Sequence, residues 1–234
     1  LGGNNAALIL DDWTFDEAAL AGLARSVFGF AGQRCTALRR LIVQRGILER
    51  FSEAFAAATG ALRVGDPLDP AAAVGPLVSR EHCERVQARL DRALADGAVV
   101  LAQARVPETT GSDPYAGRWL APTLLGKVRP HDPIAQQESF GPLALILPAD
   151  DLDEAIALAN DVPQGLLAAV YSDDDAVRAR VAERVHAGML KLAAGPLAVS
   201  AEAPFCGWKA SAIGPPEHGL SDRDFYSRVQ TLYT

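Results

Sequence analysis

The chain lacks the features that would tie it to a membrane or to an oxidising compartment. No apolar run in its 234 residues approaches the roughly 20 residues of a membrane-spanning helix. The amino terminus has neither the charged start nor the apolar middle of a signal peptide. Only three cysteines are present, Cys35, Cys83 and Cys206, and their spacing predicts neither a disulfide framework nor a zinc site. These absences predict a cytoplasmic protein.

Basic residues are also scarce. Lys and Arg number 22 against 29 Asp and Glu, which gives a net charge of −7 without any basic run. A nucleic acid or an anionic membrane surface is therefore not an expected partner. None of the four histidines, His82, His131, His186 and His218, has a partner at metal-ligand spacing. We expect no metal site and no catalytic histidine.

The residues that are present favour alternating helices and strands. Hydrophobic residues make up 49% of the chain, which is enough for a large core. Apolar periodicity predicts helices over 16–28, 47–62, 79–96, 152–160 and 175–186. Asp12 or Thr14 is available to cap the first helix and Ser79 the third, and Gly97 ends the third.

Short apolar runs at 41–44, 98–101, 143–147 and 167–171 separate these helices, and a terminal strand is expected over 226–233. Strands that are apolar throughout and alternate with amphipathic helices are typical of parallel sheets. The sequence therefore predicts an α/β fold, with a mainly parallel sheet covered by helices on both faces. Residues 106–118, rich in Pro, Thr, Gly and Ser, are the best loop candidate.

Three Gly- and Pro-punctuated motifs fall outside the helical patterns. Cys35 ends the motif Phe-Gly-Phe-Ala-Gly-Gln-Arg-Cys, residues 136–142 read Gln-Gln-Glu-Ser-Phe-Gly-Pro, and residues 204–211 read Pro-Phe-Cys-Gly-Trp-Lys-Ala-Ser. Loops of this kind carry function more often than packing. Taken alone, a cysteine in such a motif is more readily explained as a small buried hydrophobe than as a catalytic group.

Together with Leu-Gly-Gly-Asn-Asn at 1–5 and with segments 64–77 and 151–160, these motifs resemble the aldehyde dehydrogenase superfamily in the same order and at similar separations. The resemblance spans nearly the whole chain. It implies the C-terminal catalytic domain of an enzyme that oxidises a small aldehyde with NAD or NADP. It also implies a catalytic domain at 1–214 and a C-terminal tail at 215–234 that could serve a homo-oligomeric contact. A tail packed on its own domain is the alternative.

The resemblance assigns a role to each motif. It implies that Cys35 is the nucleophile, and that its backbone N–H helps to hold an oxyanion. The other implied roles are cofactor binding by Glu138, Phe140, Leu1 and Gly2, a substrate-side position for Phe205, Lys209 and Ser211, and support of the general base by Glu217. Arg34 could lower the thiol pKa or point to solvent, and the sequence leaves both open.

Several features depart from the family pattern. The glutamate that usually precedes the Leu-Gly-Gly motif, and the cofactor-binding domain before it, lie outside these residues, and no Gly-x-Gly-x-x-Gly fingerprint replaces them. Five positions carry unusual residues: Asn4, Phe30, Ala193, Cys206 and Ala212. We therefore expect a fragment without turnover of its own.

Two other functions remain open at this point. The substituted positions would suit a non-catalytic folding or assembly module with a vestigial cysteine. An acylating, CoA-dependent aldehyde dehydrogenase would pass its thioester to another thiol and need no general base. The Phe-Gly-Phe at 28–30 also resembles some glutamate-semialdehyde dehydrogenases, but the substrate loop of that group is not matched.

Overall fold

The computed structural model describes residues 2–108, 113–192 and 199–234. Nine strands lie in these ranges: β1 (Asn5–Ile9), β2 (Leu38–Gln44), β3 (Val99–Gln103), β4 (Thr123–Gly126), β5 (Leu143–Ala149), β6 (Gln164–Gly165), β7 (Leu167–Tyr171), β8 (Met189–Lys191) and β9 (Trp208–Lys209). The helices there are α1 (Glu17–Phe28), α2 (Leu48–Gly60), α3 (Arg80–Ala95), α4 (Pro133–Gln136), α5 (Leu152–Asn160), α6 (Asp175–Arg184) and α7 (Ser221–Tyr226).

Seven strands form one sheet in the order β3-β4-β5-β2-β1-β7-β8. β3 runs antiparallel to β4, and every other neighbouring pair in this sheet is parallel. β6 and β9 pair separately as a short antiparallel ribbon. Every residue of β1 and β7 is buried, as expected for strands that are covered on both faces. The predicted, mainly parallel α/β fold is confirmed.

The connections place helices on the two faces of the sheet. The chain moves in one direction along the sheet from β1 through α1 to β2, and in the opposite direction from β5 through α5 to β7. Because such crossovers are right-handed, α1 and α5 lie on opposite faces. α1 contacts β2 and β5, whereas α5 contacts β1, β2 and β5. Within the described ranges, no helix has the length and apolar character needed to cross a bilayer.

A cluster of aromatic rings anchors the helices on one side of the sheet. The Trp13 ring lies 4.7 Å from Tyr171, and the Phe51 and Phe55 rings are stacked at 5.4 Å. Phe28, the last residue of α1, stacks on Phe55 at 6.4 Å and is fully buried. This packing fixes the end of α1. From there the chain continues into residues 29–37, the Cys35 loop, before β2 begins.

The first helix is capped by a different residue than expected. The side chain of Asp16 accepts a hydrogen bond from the Ala19 N–H at 2.8 Å, so neither Asp12 nor Thr14 is the cap. Asp12 is engaged elsewhere, because its carboxylate accepts from the backbone N–H groups of Asp173 and Asp174. An acceptor committed to another loop cannot cap α1.

Most of the other predicted elements match. The Ser79 cap of α3 and the predicted bounds of α5 and β7 are confirmed. Two predicted helices were too long, since α2 ends at Gly60 and α6 at Arg184. The part of the predicted 106–118 loop that the structure describes contains no helix or strand.

The C-terminal segment extends away from the core. The sequence predicts a strand over 226–233, but residues 227–234 form no helix or strand. Val229 and Tyr233 are 98% and 95% exposed. A strand needs a partner edge, and no described residue of this chain pairs with the segment.

Candidate functional site

The predicted site residues converge on the amino-terminal edge of the sheet. Gly2 precedes β1, Cys35 precedes β2 and Glu138 precedes β5. These strands are parallel neighbours in the order β5-β2-β1. Their amino ends therefore meet at one edge, which brings together three motifs that are far apart in sequence.

Gly2 and Gly3 lie between the loop that carries Cys35 and the Glu138 carboxylate. A Cβ on Gly3 would lie 2.1 Å from the Cys35 carbonyl oxygen, and one on Gly2 would lie 2.4 Å from Glu138 Oε2. The Gly3 N–H donates to Glu138 Oε1 at 3.3 Å. The strip between Cys35 and Glu138 is therefore bare backbone, and a side chain at either glycine would displace one of its walls.

A buried amide holds the Cys35 loop on β1. Asn5 Nδ2 donates to the carbonyls of Cys35 and Ala37, both at 2.8 Å. Its Oδ1 accepts from the Leu167 N–H at 3.1 Å, which ties the loop to β7 as well. Sequence reasoning missed this residue, although an amide at the start of an apolar run was the available signal.

The Cys35 loop packs directly on the turn that carries Glu138. Phe30, Ala31 and Gly32 form a left-handed run with φ values of 56°, 54° and 66°. A Cβ on Gly32 would lie 2.2 Å from the Gly141 carbonyl oxygen. This close approach requires glycine, and it fixes the distance between the two motifs.

The Cys35 thiol is half-buried and free. Burial, followed by the negative charge of Glu138, raises its pKa above the ordinary value. The nearby backbone N–H groups of Cys35 and Thr36 oppose this rise together with the Arg34 charge. The isolated chain therefore favours the neutral thiol.

The guanidinium of Arg34 serves the end of α1. Its Nη2 donates to the carbonyls of Arg25 at 3.0 Å and Ser26 at 3.3 Å. The group also lies 5.4 Å from the centre of the Phe30 ring. Arg34 therefore neither points freely to solvent nor binds the thiol, and its influence on the thiol pKa is the weakest of those that lower it.

Glu138 is half-buried beside the glycine strip. Burial raises its pKa, while the Gly3 N–H and the charges of Arg39 and Arg89 act in the opposite direction. A carboxylate in this position can accept two hydrogen bonds from a diol.

Phe140 lies on the outer side of the same turn. Its φ of 50° is in the left-handed region, which is uncommon for an aromatic residue, and its side chain is 38% exposed. The Phe140 carbonyl accepts a hydrogen bond from His82 Nε2 at 2.7 Å, and the two rings lie 6.3 Å apart. The histidine of α3, for which the sequence predicted no catalytic role, thus contacts the site.

A cleft of about 590 Å³ opens beside Cys35. Its walls include Gly2, Cys35, Phe205, Cys206, Ser211 and Glu217. The Ser211 hydroxyl donates to the Gly2 carbonyl at 2.7 Å and accepts from the Gly165 N–H at 3.0 Å. The loop at 204–211 is thereby fixed to the glycine strip.

Of the remaining predicted residues, Glu217 lies at the cleft and Lys209 lies away from it. Glu217 pairs with Phe205 through backbone hydrogen bonds, and its side chain is exposed at the cleft. The Lys209 ammonium donates to the carbonyls of Asn160 at 2.7 Å and Val162 at 2.9 Å, so the structure does not bring it into the cleft. Leu1 and Ala193 lie outside the described residues.

Cys206 also lines the cleft. Its thiol donates to the Gly188 carbonyl at 2.9 Å. Cys83 is buried in α3, and burial raises its pKa. Among the residues that the structure describes, no three His, Cys, Asp or Glu side chains are grouped to hold a metal ion.

The sequence model of the aldehyde dehydrogenase family matches residues 1–232. The chain belongs to this family. It is 36% identical over 233 residues to betaine aldehyde dehydrogenase of Brucella anthropi, which covers 100% of this chain and 47% of that protein. It is 34% identical over 232 residues to 2-hydroxymuconic semialdehyde dehydrogenase of Pseudomonas putida, covering 99% of this chain and 47% of the relative.

Solved structures of this family share the fold. Betaine aldehyde dehydrogenase from Staphylococcus aureus in complex with NAD+ superimposes with a TM-score of 0.87 at 31% identity, over 97% of this chain and 44% of that chain. This aldehyde dehydrogenase chain thus spans about half the length of the relatives it matches.

Proposed function

We propose that the chain is the catalytic half of an NAD(P)-dependent aldehyde dehydrogenase that oxidises a small aldehyde to a carboxylic acid. The observation that carries the proposal is the edge where the Cys35 thiol, the bare Gly2–Gly3 strip and the Glu138 carboxylate meet beside one cleft. We assign residues 1–214 to the catalytic unit.

Cysteine suits the first chemical step. Hydride cannot leave an aldehyde carbon readily until a nucleophile has made that carbon tetrahedral, and a thiolate is a strong nucleophile for this addition. Cys35 bonds through sulfur to the carbonyl carbon. The backbone N–H of Cys35 would help to stabilise the charge that develops on the carbonyl oxygen.

The residues around Glu138 fit a nicotinamide cofactor, which would accept the hydride. The Glu138 carboxylate would bind the ribose hydroxyls, since it can accept both hydrogen bonds of a diol. The bare backbone of Gly2 and Gly3 leaves room for a flat ring beside Cys35. Phe140 lies in the same turn as Glu138, on the side of α3.

Hydrolysis of the resulting Cys35 thioester requires a water and a general base. In the proposed scheme that base comes from outside these 234 residues, and Glu217 supports it from the cleft wall. The isolated chain would therefore add an aldehyde reversibly at Cys35 but would not turn over. The relatives include both betaine aldehyde and semialdehyde dehydrogenases, so the aldehyde itself is left open.

The tail at 215–234 is proposed to contact a second copy of the chain. Its exposed apolar side chains, including Tyr226, Val229, Leu232 and Tyr233, are the observation that supports this role.

Three free cysteines also suit a reducing cytoplasmic location.

Alkylation of the intact chain tests the proposed nucleophile. The chain is treated with iodoacetamide across a pH series, and the modified cysteines are mapped by mass spectrometry. We expect Cys35 to be labelled first, because it is half-buried and lines the cleft, whereas Cys83 is buried and the Cys206 thiol donates to a carbonyl. A Cys35→Ser variant is the control and should lose the fast-labelled site.

The outcomes separate the alternatives. Reaction confined to Cys83 and Cys206 would sink the proposal and favour a non-catalytic module. If Cys35 is labelled, a protein that also contains the preceding half is assayed for reduced nicotinamide with a panel of aldehydes. Acid product without CoA supports hydrolytic oxidation, while a strict CoA requirement would point to the acylating reaction.

A further inference from the structure

A fully buried cation lies beneath the turn that carries Glu138. Arg39, at the start of β2, is only 2% exposed. Its Nη1 donates to the Gln137 carbonyl at 3.0 Å, which belongs to the peptide unit that joins Gln137 to Glu138. Its Nε lies 3.4 Å from the Leu143 carbonyl at the start of β5. One side chain thus spans both ends of the turn.

Asn4, the residue before β1, completes the contact. Its Oδ1 lies 3.5 Å from Arg39 Nη1, and its Nδ2 donates to the Ala135 carbonyl at 2.8 Å. Asn4 also follows Gly3, whose N–H donates to Glu138. Asn4 and Arg39 together hold the backbone before Glu138, while the adjacent glycine holds its carboxylate.

This cation is poorly explained by stability alone. Burial lowers the pKa of Arg39 to about 10, which reflects the cost of removing the guanidinium from water. Its Nη2 has no hydrogen-bond partner among the described residues, although it is buried. Apolar side chains of similar volume often serve a core as well as a buried charge does.

The charge of Arg39 also acts on Glu138. It opposes the rise that burial imposes on the pKa of that carboxyl, and Glu138 in turn favours the charged form of Arg39. The nearby Arg89 acts on Glu138 in the same direction, and it also donates to the Gln137 side chain at 3.3 Å.

We propose that Arg39 is a positioning residue which, with Asn4, clamps the Gln137–Glu138 peptide so that the carboxylate lies against the Gly2–Gly3 strip. The inference rests on the proposed function in so far as Glu138 faces a cofactor. It concerns residues of this chain only. The clamp fixes where the carboxylate lies before any ligand arrives.

The test measures Glu138 directly in the intact chain. The carboxyl carbon of Glu138 is titrated by NMR in the wild type and in the Arg39→Met, Arg39→Lys and Asn4→Ala variants, and backbone amide shifts of Glu138 and Phe140 are recorded. The carboxyl of Glu53, exposed on α2, is the internal control.

We expect Arg39→Met to raise the pKa of Glu138 by about 1 unit, because an opposite charge is lost from its surroundings. Arg39→Lys should keep that pKa near the wild-type value while shifting the turn amides, since a single ammonium cannot reproduce the fork of contacts. Asn4→Ala should likewise move the amides without removing the charge.

A folded Arg39→Met chain with an unchanged Glu138 pKa and unchanged turn amides would overturn the proposal and leave Arg39 a packing residue. If that variant does not fold, unchanged amides in both Arg39→Lys and Asn4→Ala would overturn it equally. None of these readouts uses aldehyde or cofactor, so failure of the clamp and failure of the proposed activity are distinguishable.

Discussion

Opposing influences act on the sulfur of Cys35. Burial and the Glu138 carboxylate favour the thiol, whereas the N–H groups of Cys35 and Thr36 favour the thiolate. On balance the pKa of the Cys35 thiol is raised, so its alkylation should become faster as the pH rises through that pKa. The Glu138 charge is the larger of the two side-chain charges in this balance, and a single substitution removes it.

Glu138→Gln should therefore lower the pKa of Cys35. Alkylation by iodoacetamide rises with pH through the thiol pKa, so the rate profile should move to lower pH, with a gain of about 3- to 10-fold near neutrality. Glu53→Gln removes the same charge from an exposed site on α2 and should leave the profile in place. Identical profiles for wild type and Glu138→Gln would show that the carboxylate does not act on the thiol.

Gly3→Ala tests the close approach of β1 to the Cys35 loop. The added carbon would meet the Cys35 carbonyl oxygen at 2.1 Å, so we expect a loss of about 3 kcal/mol or more in the free energy of unfolding. Gly22→Ala in α1 is the matched control. Its added carbon meets nothing within 4 Å, and it should stabilise the chain by roughly 0.5 to 1 kcal/mol. Urea titration compares the two variants, and equal effects would contradict the account.

The sequence motifs predicted Cys35, Gly2 and Glu138, and the structure places these three residues together. They did not predict Asn5, Arg39 or His82. Those three side chains act mainly on backbone carbonyls, and such contacts depend on the path of a neighbouring strand rather than on a local pattern. Lys209 shows the converse, because its ammonium binds carbonyls at the end of α5 instead of the cleft.

At the scale of elements, the site lies at the amino edge of the sheet. Open parallel sheets more commonly bind ligands at the carboxyl ends of their strands. Here the motif residues precede β1, β2 and β5, and the sequence shows this position once the strands are known. The sequence does not show the order of the strands in the sheet, because that order depends on packing between distant segments. The strands β1, β4 and β8 were not predicted from the sequence, because short strands of this kind also depend on packing between distant segments.

The contact between α3 and the Phe140 turn has a measurable consequence. His82→Leu removes the donor to the Phe140 carbonyl, so we expect a loss of about 1 kcal/mol in stability and a shift of the Phe140 and Gly141 amide resonances. His131→Leu, which disturbs only an exposed pair with Asp161, is the control. Unchanged turn amides in His82→Leu would show that α3 does not hold this turn.

At the scale of the whole molecule, alternation of apolar strands and amphipathic helices predicted the fold class correctly. The tail did not follow its sequence pattern: no described strand pairs with residues 227–234, although β3 and β8 are edge strands of the sheet.

Deletion of residues 227–234 tests the proposed role of the tail. If these apolar side chains contact a second copy, sedimentation velocity should show self-association in the full chain and a monomer after the deletion. Thermal unfolding should be nearly unchanged, since no described residue of the core pairs with the segment. A monomer in both cases would contradict the role.

The most direct measurement of the central claim is protection of Cys35 by an aldehyde. Addition of the thiol to the carbonyl carbon consumes the nucleophile reversibly, so a small aldehyde should slow iodoacetamide labelling of Cys35 in a concentration-dependent way and leave Cys83 and Cys206 unaffected. The corresponding carboxylic acid should give no protection. Equal labelling of Cys35 with and without aldehyde, across the whole panel, would contradict the account.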